Sequence, residues 1–242
     1  MTLETVTGTL AETYRLLRPE SILHADELMK ERRTNKELRS QWFYTAEGIV
    51  YSLQGENRTP TLAITRGSSN PLFQDSTIDK YCDQLIQNKN YRPTSEETLR
   101  ALQAKDTVLV DLTKLKLQGN DEEWKHLAIN TREYETLNSE EQKLAQRVYG
   151  KDDDFAQTMR MLADAGIRET KVWVLNPDYV RTHAQTSSLG RASWLNFFNN
   201  NSFFYAYDRI IINGGRVRGV RREDVARSAA SESDFFHVIH RK

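Results

Sequence analysis

The chain has 242 residues, 38% of them hydrophobic and 28% charged, which is enough apolar material for one large domain or two small ones. Its 34 basic and 34 acidic side chains cancel, so no global field draws in nucleic acid and a chain built mainly for phosphate binding is disfavoured. No apolar run of about 18 residues exists, which excludes a spanning helix, and the lone Cys82 excludes an internal disulfide and a CxxC-type metal site.

The opening stretch carries acids and threonines where a signal peptide needs a basic start and an apolar run. With the single cysteine, this leads us to expect a cytoplasmic protein. An amphipathic helix is predicted from Leu10 to Leu17 and a second from Ala25 to Arg32. The period then changes. Gly48–Leu53 and Thr61–Thr65 read as two strands joined by a turn-forming stretch from Gly55 to Pro60. A third helix covers Ile78 to Gln87, with Cys82 between Tyr81 and Leu85 as a core thiol. A fourth opens at Thr94, where Glu97 three residues on completes a capping box that satisfies two free backbone donors.

Lys105-Asp106 precedes a fresh strand, Thr107–Leu112, and a boundary is placed there, between residues 1–105 and 106–242. Asn138 and Glu141 form another cap signal, opening a helix that Gly150 stops. The next helix starts in the acids Asp152, Asp153 and Asp154. It sets Phe155, Met159 and Leu162 on one face and ends at Gly166. Lys171–Leu175 is then a short buried strand ended by Asn176-Pro177. Helices and strands in this order give an α+β class.

From Leu195 to Arg222 the composition changes: Asn, Phe, Tyr and Ile are dense, while Lys, Glu, Gln, Met and Trp are missing. A strand over Phe203–Asp208 alternates Phe203, Tyr205 and Tyr207 with Phe204, Ala206 and Asp208. Rings on both sides imply either a strand buried on both faces or an exposed aromatic patch. Asn199, Asn200 and Asn201 favour a loop. Tyr with Ser, Gly and Asn is also the make-up of antigen-binding loops, where rigid aromatic area is combined with adaptable hydrogen bonding.

Gly190-Arg191-Ala192-Ser193-Trp194, Ala206-Tyr207-Asp208-Arg209 and Arg216-Val217-Arg218-Gly219-Val220-Arg221 resemble the closing strands of the formylglycine-generating-enzyme branch of C-type-lectin-like folds. The likeness is strongest to the variable proteins of diversity-generating retroelements. In that family a reverse transcriptase copies a template with errors at adenines. Asparagine codons changed in this way yield Tyr, Phe, Ile, Ser, Asp, Gly, Ala and Arg, among others, but never Lys, Glu, Gln, Met or Trp. The resemblance covers roughly the last quarter of the chain, extends weakly back through the helix at Asp152–Gly166, and makes 106–242 the expected lectin-like domain.

It implies diversified, ligand-facing positions at Phe197, Asn199, Asn200, Asn201, Phe203, Tyr205, Tyr207, Ile210, Ile212, Asn213 and Gly214, between framework residues Trp194 and Arg218, Gly219 and Val220. Asp208 and Arg209 are read as a structural ion pair. Catalytic members of the broader fold rely on cysteines. Cys82 lies far outside the matching segment, so that chemistry does not carry over, and neither catalysis nor a cofactor is expected.

Plainer readings stand beside these. The aromatic segment is otherwise an ordinary pair of strands. Arg216, Arg218, Arg221 and Arg222 beside stackable rings otherwise make a nucleic-acid-binding module. His237 and His240 lack Cys, Asp or Glu partners at ligand spacing and read as a solvated tail. Glu96-Glu97 and Glu140-Glu141 read as helix caps. Asn57-Arg58-Thr59 and Asn200-Asn201-Ser202 match the glycosylation pattern by accident. The expected partner is a protein ligand.

Overall fold

In the computed structural model, residues 3–17, 21–74, 76–196, 203–205 and 215–219 are described. In chain order the elements are β1 (Glu4–Gly8), α1 (Leu10–Leu16), α2 (Ala25–Thr34), β2 (Phe43–Tyr44), β3 (Gly48–Gln54), β4 (Thr59–Thr65), α3 (Ile78–Asn88), α4 (Ser95–Gln103), β5 (Val108–Asp111), β6 (Leu117–Gln118), β7 (Trp124–Asn130), α5 (Ser139–Tyr149), α6 (Asp152–Asp164), β8 (Glu169–Leu175), α7 (Pro177–His183), β9 (Leu189–Arg191), β10 (Trp194–Leu195), β11 (Phe203–Tyr205) and β12 (Gly215–Gly219).

Helices α1, α4, α5 and α7 start where side chains satisfy free backbone donors of a first turn. Thr94 accepts from the Glu97 N–H at 3.2 Å while Glu97 accepts from the Thr94 N–H at 2.7 Å. Asn138 and Glu141 form the same reciprocal pair on α5, and Thr9 and Glu12 form it on α1. Glu140 instead accepts from the Asp111 N–H at 3.0 Å, tying α5 to β5. At the end of α6 the Ile167 and Gly166 N–H groups return to Leu162 and Ala163, closing the last turn. Asn176 and Pro177, predicted only to stop a strand, also start α7: the Asn176 side chain accepts from the Asp178 N–H at 3.1 Å.

The strands form three sheets. A six-stranded sheet runs β2-β10-β11-β8-β7-β6, a four-stranded one β5-β4-β3-β9, and β1 pairs with β12 alone. All pairs are antiparallel except β8 with β11. Among the described residues the chain crosses between the two larger sheets four times, and the two short crossings, at 45–47 and at 192–193, run side by side. The Thr45 N–H donates to the Ser193 carbonyl at 3.0 Å, and the two hydroxyls lie 2.7 Å apart.

The division expected at 105/106 does not separate two cores. β5, just beyond it, pairs with β4, while β9 pairs with β3 and β10 with β2. One apolar core contains Phe43, Ile49, Tyr51 and Leu62 from before that point together with Val110, Leu144, Phe155, Val172 and Phe204 from after it. Long-range strand pairing, which has no local signature, joined what composition had split.

A second core gathers Val6, Leu10 and Tyr14 with Tyr44, Tyr81, Tyr91 and Trp194. Cys82 belongs to it, and burial pushes its thiol pKa up to about 12, so it is an inert core thiol. Tyr91 bridges Gly190 in both directions, at 3.1 and 2.8 Å, with its ring flat on that glycine. A Cβ there would lie 2.1 Å from the ring, so only glycine fits.

Candidate ligand-binding site

The site is built up from the framework strands. Trp194 sits on β10, 6% exposed, in the second core with Trp42 edge-on at 6.0 Å. The next residue, Leu195, turns to the first core, as strand alternation requires. Asn196 is the last described residue before the candidate positions. Its carbonyl accepts from Nη1 of Arg32 at 2.8 Å.

β11 lies between β10 and β8. Phe204 pairs in register with Leu195 and Val172 and is 2% exposed in the first core. Phe203 pairs with Lys171, and Tyr205 with Trp173 on one side and Trp194 on the other. The next register step from Trp173 is His126 on β7. A row of positions Tyr44, Trp194, Tyr205, Trp173 and His126 therefore crosses five strands. Trp173 is half-buried with the His126 ring 4.6 Å away. Burial, helped by the Lys171 cation, holds the His126 pKa below its ordinary value.

At the far end, β12 is fixed by both backbone and side chain. Arg218 and Arg216 pair with Thr5 and Thr7 of β1. The Leu23 N–H donates to the Arg218 carbonyl at 2.9 Å. The Arg218 guanidinium pairs with Glu31 of α2 and donates to Thr5 Oγ1 at 3.3 Å. Gly219 packs against the backbone at 21–22, where a Cβ would lie 2.8 Å from the Ser21 carbonyl oxygen. Bulk at that position would force the two segments apart.

Of the expected ligand-facing positions, Phe203 and Tyr205 fall on β11; Phe197, Asn199, Asn200, Asn201, Tyr207, Ile210, Ile212, Asn213 and Gly214 lie outside the described residues. So do Val220, the Asp208–Arg209 pair, Arg221, Arg222, His237, His240 and the continuation of the expected strand past Tyr205. Trp194, Arg218 and Gly219 are all placed, and each is packed or bonded to an element from the N-terminal third.

What sequence reasoning missed is the other half of that frame. β1 is a five-residue strand whose partner lies more than two hundred residues away, and Glu31 and Arg32 carried no signal beyond helix composition. Arg32 is fully buried, its guanidinium donating to the carbonyls of Leu38, Gln41 and Asn196 and lying 5.8 Å over the Phe43 ring. Burial pulls its pKa down to about 9.

Elsewhere, an open cleft of about 520 Å³ lies between α4, the end of β3 and the 184–188 segment, lined by Ser52, Gln54, Thr98, Gln185 and Ser188 with Arg58. Among the described residues no group of three or more His, Cys, Asp or Glu could hold a metal ion, and no helix is long and apolar enough to cross a membrane.

No family model matches the chain, and no curated protein does. A solved structure is similar over most of its length: a protein described by the words "Accommodation of massive sequence variation in Nanoarchaeota by the C-type lectin fold". The TM-score is 0.59 at 12% identity, covering 91% of this chain and 98% of that one. A likeness of that extent reaches well back before residue 106. The chain is an α+β protein with the C-type lectin fold.

Proposed function

We propose that this chain is a ligand-binding display protein whose surface between Asn196 and Gly215 is exchanged by retroelement-driven mutagenesis at adenines. The observation that carries the reading is a packed framework beside a stretch of restricted residue types. Phe204 is sealed in the core and Trp194 in the second core, while every residue type in the flanking 197–214 stretch is one that an asparagine codon can reach. The structural neighbour, a C-type lectin fold described as accommodating massive sequence variation, supports a scaffold that tolerates such exchange.

The function is recognition without catalysis, in a cytoplasmic setting. The ligand is a protein, engaged by aromatic side chains that anchor in its pockets as hot spots. The cleft beside α4 supports this reading over an enzymatic one, because its described lining has hydroxyls and amides but no acid, histidine or cysteine. A nucleic-acid module is less well served, since Arg218 already pairs with Glu31 and is no longer a free phosphate ligand.

The deciding experiment is to sequence the DNA around the gene. A near-identical template repeat beside a reverse transcriptase, with differences confined to template adenines at the candidate codons, is the expected result. A neighbourhood lacking both, or differences scattered over the codons of Trp194 and Phe204 as well, sinks the proposal.

A further inference from the structure

We propose that Glu31 and Arg32, successive residues of α2, are positioning residues that hold both ends of the candidate display segment whatever side chains it carries. Arg32 takes the near end: its Nη1 donates to the carbonyl of Asn196 at 2.8 Å, a backbone acceptor present at any sequence. Glu31 takes the far end through the guanidinium of Arg218, a residue on the framework side of the segment. Between these two anchors lie all eleven candidate positions, from Phe197 to Gly214.

The local structure explains why α2 can do this. Asn35 ends the helix and its side chain accepts from the Glu37 N–H at 3.1 Å, starting a 3-10 turn over Lys36–Ser40. That reversal folds the Leu38 and Gln41 carbonyls back over the end of α2, where both accept from Arg32. The guanidinium is fully buried with the Phe43 ring beneath it, so its direction is fixed by packing on all sides. Its Nη1 faces the Met29 sulfur and also reaches the Asn196 carbonyl. Arg39 braces the same turn, donating from Nε to the Arg32 carbonyl at 2.7 Å. Glu31, one residue earlier and on the solvent side, is about a quarter exposed and meets Arg218 where β12 leaves β1.

Neither anchor uses a side chain from within 197–214, so both survive any substitution there. Their physical effect is to fix the chain ends before a ligand arrives, lowering the ordering cost of binding. What the anchor is for rests on the display reading; its existence does not.

The test is amide hydrogen exchange on the full chain, read by mass spectrometry. In Glu31→Gln, exchange across 215–219 should quicken about tenfold, the scale of one lost charge-assisted hydrogen bond. Exchange in β3, β4 and β7 should stay as it was. Arg32→Lys should quicken exchange across 194–196 in the same way. Exchanging the pair, with Glu31→Arg and Arg218→Glu together, should restore the slow rate at β12. If Arg32→Lys does not fold, the Glu31→Gln and exchanged-pair variants decide alone.

Unchanged exchange in Glu31→Gln overturns the proposal, as does acceleration spread equally over β3 and β4, which would mean general loosening. Repeating Glu31→Gln in a background carrying Phe203→Ser and Tyr205→Ser should give the same acceleration. A dependence on those two side chains also overturns it. The absence of a template repeat would remove the display reading and leave these exchange results standing.

Discussion

One face of the six-stranded sheet carries Phe43, Leu195, Phe204, Val172 and Leu127, all 2% exposed or less; the other carries Tyr44, Trp194, Trp173 and His126. The first row is a packed core layer, closed by α2, α5 and α6. The second is amphipathic: Tyr44 and Trp194 pack into the N-terminal core with Val6, Leu10 and Tyr14, while Trp173 is half-buried beside the His126 ring. Rows one residue out of phase thus obey different rules. The first admits only side chains of matching volume. The second has rings that combine apolar area with polar atoms, the chemistry expected beside a binding surface.

The sharpest way to break this contrast is at Phe204 of β11, in the first row. Phe204→Ala should cost about 3–5 kcal/mol, because a buried ring leaves a cavity that the neighbouring strands cannot fill. Denaturant unfolding at constant m-value measures it, and a loss below 1 kcal/mol would place Phe204 outside the core layer.

The crossings beside the second row give the next effect. Glu47 is 1% exposed, accepts from the Ala25 N–H at 2.7 Å and lies 3.4 Å from His24. Burial alone would raise its pKa. The His24 imidazole 3.4 Å away, with Thr45 and the Ala25 N–H, outweighs burial and brings it to about 2 from an ordinary 4.5. A depressed carboxylate contributes stability that is complete above its unfolded pKa and is lost as pH falls through the folded one. That contribution is on the order of 3 kcal/mol, lost between pH 4.5 and 2. Glu47→Gln should therefore flatten the acid-unfolding curve over that window, and a variant that unfolds in acid as the parent does would show the crossing to be held by something else.

The smallest effect is predicted where display requires tolerance. If the display reading holds, Phe203→Ser and Tyr205→Ser should each move stability by less than about 1 kcal/mol. A thermal shift as large as that of Phe204→Ala would make β11 a strand buried on both sides.

How much of this could be read from residues alone depended on the range of the interaction. Thr94 with Glu97, Asn138 with Glu141, and Gly166 announced their helix ends because a cap is a contact across three or four residues. The strand pattern at Gly48–Leu53 and Thr61–Thr65 was equally local, and β3 and β4 run from Gly48 to Gln54 and from Thr59 to Thr65. β1 was missed, since Glu-Thr-Val-Thr-Gly becomes a strand only by pairing with residues 215–219. β2 and β10, of two residues each, are too short to show a period. At the site, the candidate positions and Trp194 as framework came from the resemblance to retroelement variable proteins and its codon logic. Arg32 could not be foreseen, because an arginine on an amphipathic helix reads as solvated until a fold surrounds it with carbonyls.

The pairing of β1 with β12 carries a further consequence for synthesis. A ribosome makes β1 first and its partner only after the whole 197–214 stretch has been translated. Any chain that stops or shifts frame within that stretch leaves Glu4–Gly8 with an open strand edge, a recognised trigger for aggregation and proteolysis. Closure of the molecule therefore reports that the segment before it was read through to the end.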